Sequence, residues 1–212
     1  MNKIRILIAD DHAIVREGLK QILSETEDLV VAGEASDGIE VINQVHDSEW
    51  DLLLLDIAMP GMGGVEVLQR IRAENNSLPV LVLSIYPPEQ YAMRLLKSGA
   101  SGYMTKESAP EQLVTAIRTI ARGKKYISPE VGELLSDQLL CDGEKSLHET
   151  LSNREYQVLC LIASGVSVGD IGERLTLSVK TISTYRSRIL EKMRMKNNAE
   201  LTHYVFKHGL LE

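Results

Sequence analysis

Short runs that are apolar at every position constrain this chain most. Leu52-Leu53-Leu54-Leu55 and Val80-Leu81-Val82-Leu83 contain no polar residue, so neither alternates. A strand wet on one face alternates apolar and polar residues. A strand apolar throughout must be covered on both faces, which calls for a parallel sheet with helices on each side. Strands are predicted at residues 4–9, 29–33, 52–55, 80–83 and 102–104. Between them, apolar residues recur at helical spacing over 11–24, 38–45, around Val65, Leu68 and Ile71, over 91–96, and over 113–120. The expected class is α/β, a doubly wound five-stranded parallel sheet.

The pattern then changes. Residues 123–147 read as a linker, with Ser128-Pro129-Glu130 able to cap a short helix over 131–140. The stretch 148–212 shows helical periodicity only. Ser152 with Glu155 three residues on is a capping box, a serine and a glutamate exchanging bonds across a helix start. Gly165 ends that helix, Ser167 opens a short one, Thr176-Leu177 is a tight turn, Ser178 caps a longer helix to Met193, and Asn198 opens the last. A small all-α, four-helix, helix-turn-helix domain is therefore expected after the sheet domain of 1–122.

Charge divides along the same boundary. Residues 1–122 hold 11 Lys/Arg against 18 Asp/Glu, whereas residues 151–212 hold 9 against 6. An acidic front and a basic tail point to different partners, although the whole chain carries −7. The two cysteines, Cys141 and Cys160, make no disulfide framework, which disfavours a secreted scaffold and favours a cytoplasmic location. The amino end breaks at Asp10-Asp11 and reads as no signal peptide; no apolar run approaches the ~20 residues of a membrane span.

The predicted strand ends carry the chemistry. In an open parallel sheet, ligands bind beyond the carboxyl ends of the strands. A flavodoxin-like order sets strands one and three side by side, so Asp10, Asp11 and Asp56 converge. Three carboxylates repel unless a hard cation joins them, and Mg²⁺ takes few carboxylates and several waters. Strand four ends at Ser84, and Lys106 follows strand five. Nucleophile, metal site, hydroxyl and cation are the parts for phosphoryl transfer to a carboxylate.

These residues carry a resemblance. Ile8-Ala9-Asp10-Asp11-His12, the run from Leu54 to Gly64 through Asp56, Leu83-Ser84 and the run from Gly99 to Lys106 resemble the receiver domain of two-component response regulators. The resemblance implies that a sensor histidine kinase phosphorylates Asp56. Asp11, Asp56 and the Ala58 carbonyl would hold Mg²⁺, with Asp10 acting through water. Lys106 and Ser84 would stabilise the phosphoryl group, and Ser84 and Tyr103 would form a switch in which the ring swings inward. Ala58 and Tyr86 would flank the route of water to the acyl phosphate. Glu107 stands where many receivers carry proline.

On the helix of residues 178–193, Ile182, Tyr185, Ile189 and Met193 share one side. Lys180, Ser183, Thr184 and Ser187 share the other, a small polar face suited to a major groove, with Thr181 beside it. Arg188 suits a phosphate contact, and Arg186 is expected to reach outward to another. The tail resembles the LuxR-type helix-turn-helix domain, through Leu151 to Glu155, Ser178 to Ile182, Lys192-Met193 and Asn198 to Leu201. The whole chain is thus similar to the NarL/FixJ family of response regulators. That implies a phosphorylation-dependent homodimer on two half-sites of double-stranded DNA, acting with RNA polymerase. Gly172, where alanine is frequent, is expected to soften its short helix. An aspartyl phosphohydrolase of the haloacid dehalogenase kind needs an acid two residues past the nucleophile. Ala58 stands there, so no substrate turnover is expected.

Overall fold

The computed structural model describes residues 3–74, 77–140 and 147–211. It divides into two compact units, Met1–Asp137 and Gln138–Glu212. No helix among the described residues is long and apolar enough to cross a membrane.

In the first unit, five strands alternate with five helices. They are β1 (Ile4–Ala9), α1 (Ala13–Ser24), β2 (Leu29–Ala35), α2 (Gly38–Asp47), β3 (Leu52–Asp56), α3 (Gly64–Ala73), β4 (Val80–Ser84), α4 (Pro88–Lys97), β5 (Gly102–Thr105) and α5 (Pro110–Ala121). The sheet order is β2-β1-β3-β4-β5, all parallel. Every residue of β3 and β4 is buried. Ile6, Ile8, Leu52, Leu54 and Leu81 pack in one core with Leu19 and Leu23 of α1 and Leu113, Ile117 and Ile120 of α5. Alternate residues Leu7, Leu53, Leu55 and Val82 are equally buried, so the opposite face is covered too. This is the two-sided cover that the apolar runs demand.

The chain after α5 returns to the open edge of β5. Tyr126 bridges Gly102 in parallel sense, its N–H bonded to the Ser101 carbonyl at 2.9 Å. α6 (Pro129–Leu140) follows. The predicted linker therefore contains both an edge bridge and a helix. Its stretch 141–146, with Cys141, lies outside the described residues.

The second unit holds a 3-10 turn (Leu147–Thr150), α7 (Asn153–Ala163), α8 (Val168–Arg174), α9 (Val179–Lys192) and α10 (Asn198–Lys207). α7 packs on α9 and α10, and α8 on α9. Tyr156, Leu159, Ile171, Ile182, Ile189, Leu201 and Val205 form the core. Side chains of Ser152, Ser167, Ser178 and Asn197 cap the four helices.

Gly172, expected to soften α8, also answers a steric demand. Gly172 is buried, and the α8–α9 turn closes over it, with the Leu177 N–H donating to the Gly172 carbonyl at 2.8 Å. A Cβ there would lie 2.8 Å from the Leu177 carbonyl oxygen. The glycine admits the turn, and Thr176 beside it takes a left-handed φ of 53°. For a β-branched residue that conformation is costly, so the surrounding contacts must hold it.

Candidate functional site: a carboxylate pocket and an exposed helix face

β1 and β3 are neighbours, which brings Asp10 and Asp56 to the same end of the sheet. Both are buried to 1% exposure. Lys106 reaches them because its N–H continues the β4–β5 ladder, donating to the Ser84 carbonyl at 2.7 Å. Its Nζ lies 2.6 Å from Asp10 Oδ2 and 2.8 Å from Asp56 Oδ2. The other Asp56 oxygen, Oδ1, accepts the Ala58 N–H at 3.1 Å. The loop can close this tightly because residue 64 is glycine: a Cβ there would stand 2.1 Å from the Asp56 carbonyl oxygen.

One ammonium thus serves two buried carboxylates. Burial raises the Asp56 carboxyl above the ordinary range, and Lys106 only partly offsets it. Burial alone would lower the Lys106 ammonium, but the bonds from Asp10 and Asp56 together raise it. Asp11 completes the cluster. Asp10, Asp11, His12 and Asp56 each offer a ligand atom, all within 4.8 Å of one another. Asp11 Oδ1 is shielded from water and accepts no well-aligned hydrogen bond, while Asp10 Oδ2 faces the Lys106 ammonium at 2.6 Å. Three carboxylates gathered about one ammonium fit a divalent cation such as Mg²⁺. Asp10, Asp11, Asp56 and Lys106 therefore stand together as the sequence pattern requires.

Ser84 is fully buried, and its Oγ accepts the Tyr86 N–H at 3.0 Å. Tyr103 is expected to swing inward on activation. Here its ring is already buried, and its hydroxyl donates to the Tyr86 carbonyl at 2.7 Å. Burial pushes this phenol up to about 12. The Tyr86 ring stacks at a tilt on Tyr91, centroids 5.1 Å apart. The Lys106–Glu107 peptide is trans.

Sequence reasoning missed two residues here. Arg16 on α1 donates Nη1 to the Asp10 carbonyl at 2.7 Å and pairs with Glu34 at 3.2 Å, which fixes the β1–α1 loop. His12 turns its Nδ1 toward Asp11, 2.9 Å from Oδ1. Arg16 follows His12 by one helical turn, a spacing that marks a shared face.

In the second unit, Lys180, Ser183, Thr184, Ser187 and Arg188 are exposed along α9. Thr184 and Ser187 hydroxyls donate back to carbonyls of their own helix at 3.0 and 3.1 Å. Thr181 is half-buried, bonded through its N–H to the Ser178 cap at 3.1 Å. Arg186 is also half-buried, and its Nε donates to Asn198 Oδ1 at 2.6 Å, a bond from α9 to α10. Lys192 at the end of α9 pairs with Glu155 at 2.6 Å, and Glu155 accepts the Ser152 N–H at 2.7 Å. The capping box and the end of the exposed helix are thus one linked structure.

Known proteins share both units. Residues 6–118 match the response regulator receiver domain, and residues 149–205 match the bacterial regulatory proteins of the luxR family. The response regulator UvrY of Escherichia coli strain K12 is 33% identical over 208 residues, spanning 98% of this chain and 95% of that protein. The oxygen regulatory protein NreC of Staphylococcus carnosus is 35% identical over 216 residues, 99% of this chain and all of that one. Among solved structures, RcsB from Salmonella enterica serovar Typhimurium, bound to a promoter in the presence of the phosphomimetic BeF3−, superposes with a TM-score of 0.62. It is 30% identical and covers 96% of this chain and 98% of its own.

Proposed function

This chain belongs to the NarL/FixJ family of response regulators, a receiver domain joined to a LuxR-type DNA-binding domain, and from that premise we propose that it is a phosphorylation-switched transcription factor. The observation that carries the reading is the sharing of Lys106 between Asp10 and Asp56, with Asp11 alongside. That pocket holds more negative charge than it neutralises, at a buried nucleophile.

A sensor histidine kinase presents a phosphohistidine. An Asp56 carboxylate oxygen attacks phosphorus, the P–N bond breaks, and its electron pair returns to the imidazole. Asp11, Asp56 and the Ala58 carbonyl would hold Mg²⁺, and Asp10 would act through water. Bound Mg²⁺ supplies positive charge against the phosphoryl oxygens. Lys106 leaves its carboxylates for the phosphoryl group, and the Ala58 N–H keeps the acceptor aimed. The Ser84 hydroxyl turns from the Tyr86 N–H to a phosphoryl oxygen, and the inward Tyr103 ring fills the space behind it. Phosphorylation adds about −1.5 to −2 charge. The receiver surface then repacks and favours a homodimer.

The dimer reads two half-sites of double-stranded DNA about one helical turn apart. Lys180, Ser183, Thr184 and Ser187 meet base edges, Thr181 lies at the helix start, and Arg188 and the outer part of Arg186 meet phosphates. RNA polymerase is the next partner at a promoter, and the cytoplasm is the compartment. Ala58 supplies no acid two residues past Asp56, so the aspartyl phosphate ends in hydrolysis by water without substrate turnover. Intact-mass measurement after incubation with Mg²⁺ and acetyl phosphate tests the reading. One added phosphoryl group that disappears in Asp56→Ala supports it; its persistence in that variant contradicts it.

A further inference from the structure

Tyr126 brings the chain back to the sheet after α5. Its N–H donates to the Ser101 carbonyl at 2.9 Å, and it bridges Gly102 in parallel sense. Ser101 is itself held to β4: its N–H donates to the Val80 carbonyl at 2.8 Å, and its Oγ accepts the Val80 N–H at 3.3 Å. A side chain at residue 102 would crowd the bridge. A Cβ there would lie 3.1 Å from the Tyr126 carbonyl oxygen and 3.0 Å from Leu81 Cδ1. The Tyr126 ring is half-buried and packs on the core that includes Leu81 and Ile120.

The bridge stands between the switch and the linker. On one side, β5 runs from Gly102 through Tyr103 to Thr105, which pairs with Ser84, and Lys106 follows. On the other side, only Ile127 and Ser128 separate Tyr126 from α6. Ser128 Oγ accepts the Val131 N–H at 3.4 Å, and Val131 in the first turn of α6 is 1% exposed. A flexible chain absorbs a displacement at one end, whereas paired backbone and a packed helix hand it on.

We infer that Tyr126 is a positioning residue for the switch: its backbone pairing with Gly102 ties α6 to β5, so that movement of Tyr103 and Lys106 on phosphorylation is passed into the segment that precedes the DNA-binding domain. This inference rests on the reading of the chain as a phosphorylation-switched DNA binder. It adds the point at which the sheet passes the change on.

The test uses the full chain. Phosphoryl uptake is read by intact mass, and affinity is read on one duplex, selected by phosphorylated wild type, with and without acetyl phosphate and Mg²⁺. Tyr126→Pro removes the N–H that the bridge needs, whereas Tyr126→Phe keeps it. Both variants should take up one phosphoryl group and, without the donor, bind the duplex as wild type does. Phosphorylation should tighten wild type and Tyr126→Phe alike, and the gain in Tyr126→Pro should be smaller by at least about 5-fold. A full gain in Tyr126→Pro overturns the inference. So does loss of phosphoryl uptake in that variant, which would place Tyr126 in support of the pocket. Affinity lowered equally with and without the donor overturns it as well, by making the bridge a structural prop alone. Loss of the gain in Tyr126→Phe overturns it too, by assigning the effect to the hydroxyl. A wild type that takes up the phosphoryl group yet binds no tighter sinks the switched reading itself, whatever the variants do.

Discussion

Each unit buries a carboxylate against a lysine, and the two behave oppositely. Asp56 is 1% exposed with Lys106 Nζ at 2.8 Å; Glu155 is 3% exposed with Lys192 Nζ at 2.6 Å. The Asp56 carboxyl is raised, whereas Glu155 is lowered. Burial pushes both upward. Glu155 overcomes it because it has a lysine to itself and the Ser152 N–H at a helix start. Asp56 does not, because its burial outweighs the bonds from Lys106 and the Ala58 N–H, and the neighbouring Asp10 charge adds to that burial. A structural carboxylate is satisfied where it stands. Asp56 is left short of positive charge, a shortage that under the proposed function a dication and then a phosphoryl group would relieve.

Removal of the two lysines should separate the sites most sharply. Lys106→Ala leaves two buried carboxylates without a counter-charge and should cost about 3 kcal/mol in urea denaturation. Lys192 is 41% exposed, so solvent screens its pair, and Lys192→Ala should cost about 1 kcal/mol. Equal losses would break the comparison. Mg²⁺ should come next. At 100 times its Kd it should stabilise the receiver unit by about 2.7 kcal/mol, and leave an Asp11→Asn chain nearly unmoved.

The carboxylates themselves should respond to pH in opposite senses. The raised Asp56 group stabilises the fold while protonated, and loses that contribution as pH rises from the ordinary carboxylate range, about 4, through its higher folded value. Asp56→Asn should therefore be more stable than wild type at neutral pH, by about 1 kcal/mol, with the gap closing in acid. Glu155 is lowered, so its contribution is present above about 4 and is lost as pH falls through its folded value. Glu155→Gln should be less stable than wild type at neutral pH, and the gap should again close in acid. Melting curves across this range of pH check both signs. The smallest stability effect belongs to the exposed face: Lys180→Ala should change stability by under about 0.5 kcal/mol. It should still weaken DNA binding and relax base preference at the position it meets.

The pocket was legible because a parallel sheet sends its strand ends to one place. Wholly apolar runs located β3 and β4, and the polar residue that ends each named Asp56 and Ser84; Asp10 directly follows β1, and Lys106 lies just past Thr105 at the end of β5. The reader helix was legible from one wheel of residues, and its caps Ser178 and Met193 fell at the structure's own ends. What stayed hidden was pairing across sequence distance. No period joins Glu155 to Lys192 or Arg186 to Asn198, and none says that Lys106 is divided between two acids. The close turn over Gly172 was hidden as well, because a missing Cβ matters only once Leu177 is known to approach it. Tyr103 is inward because the Tyr86 carbonyl accepts its hydroxyl, a partner that no side-chain pattern names.

The central claim is that charge placed on Asp56 is felt by the exposed face of α9. Its most direct test is the affinity for one duplex, selected from a random pool by phosphorylated wild type, measured with and without acetyl phosphate. The account predicts about 5–150-fold tighter binding on phosphorylation of wild type and no gain in Asp56→Ala. Equal affinity in all four samples, or a gain that survives in Asp56→Ala, would contradict it.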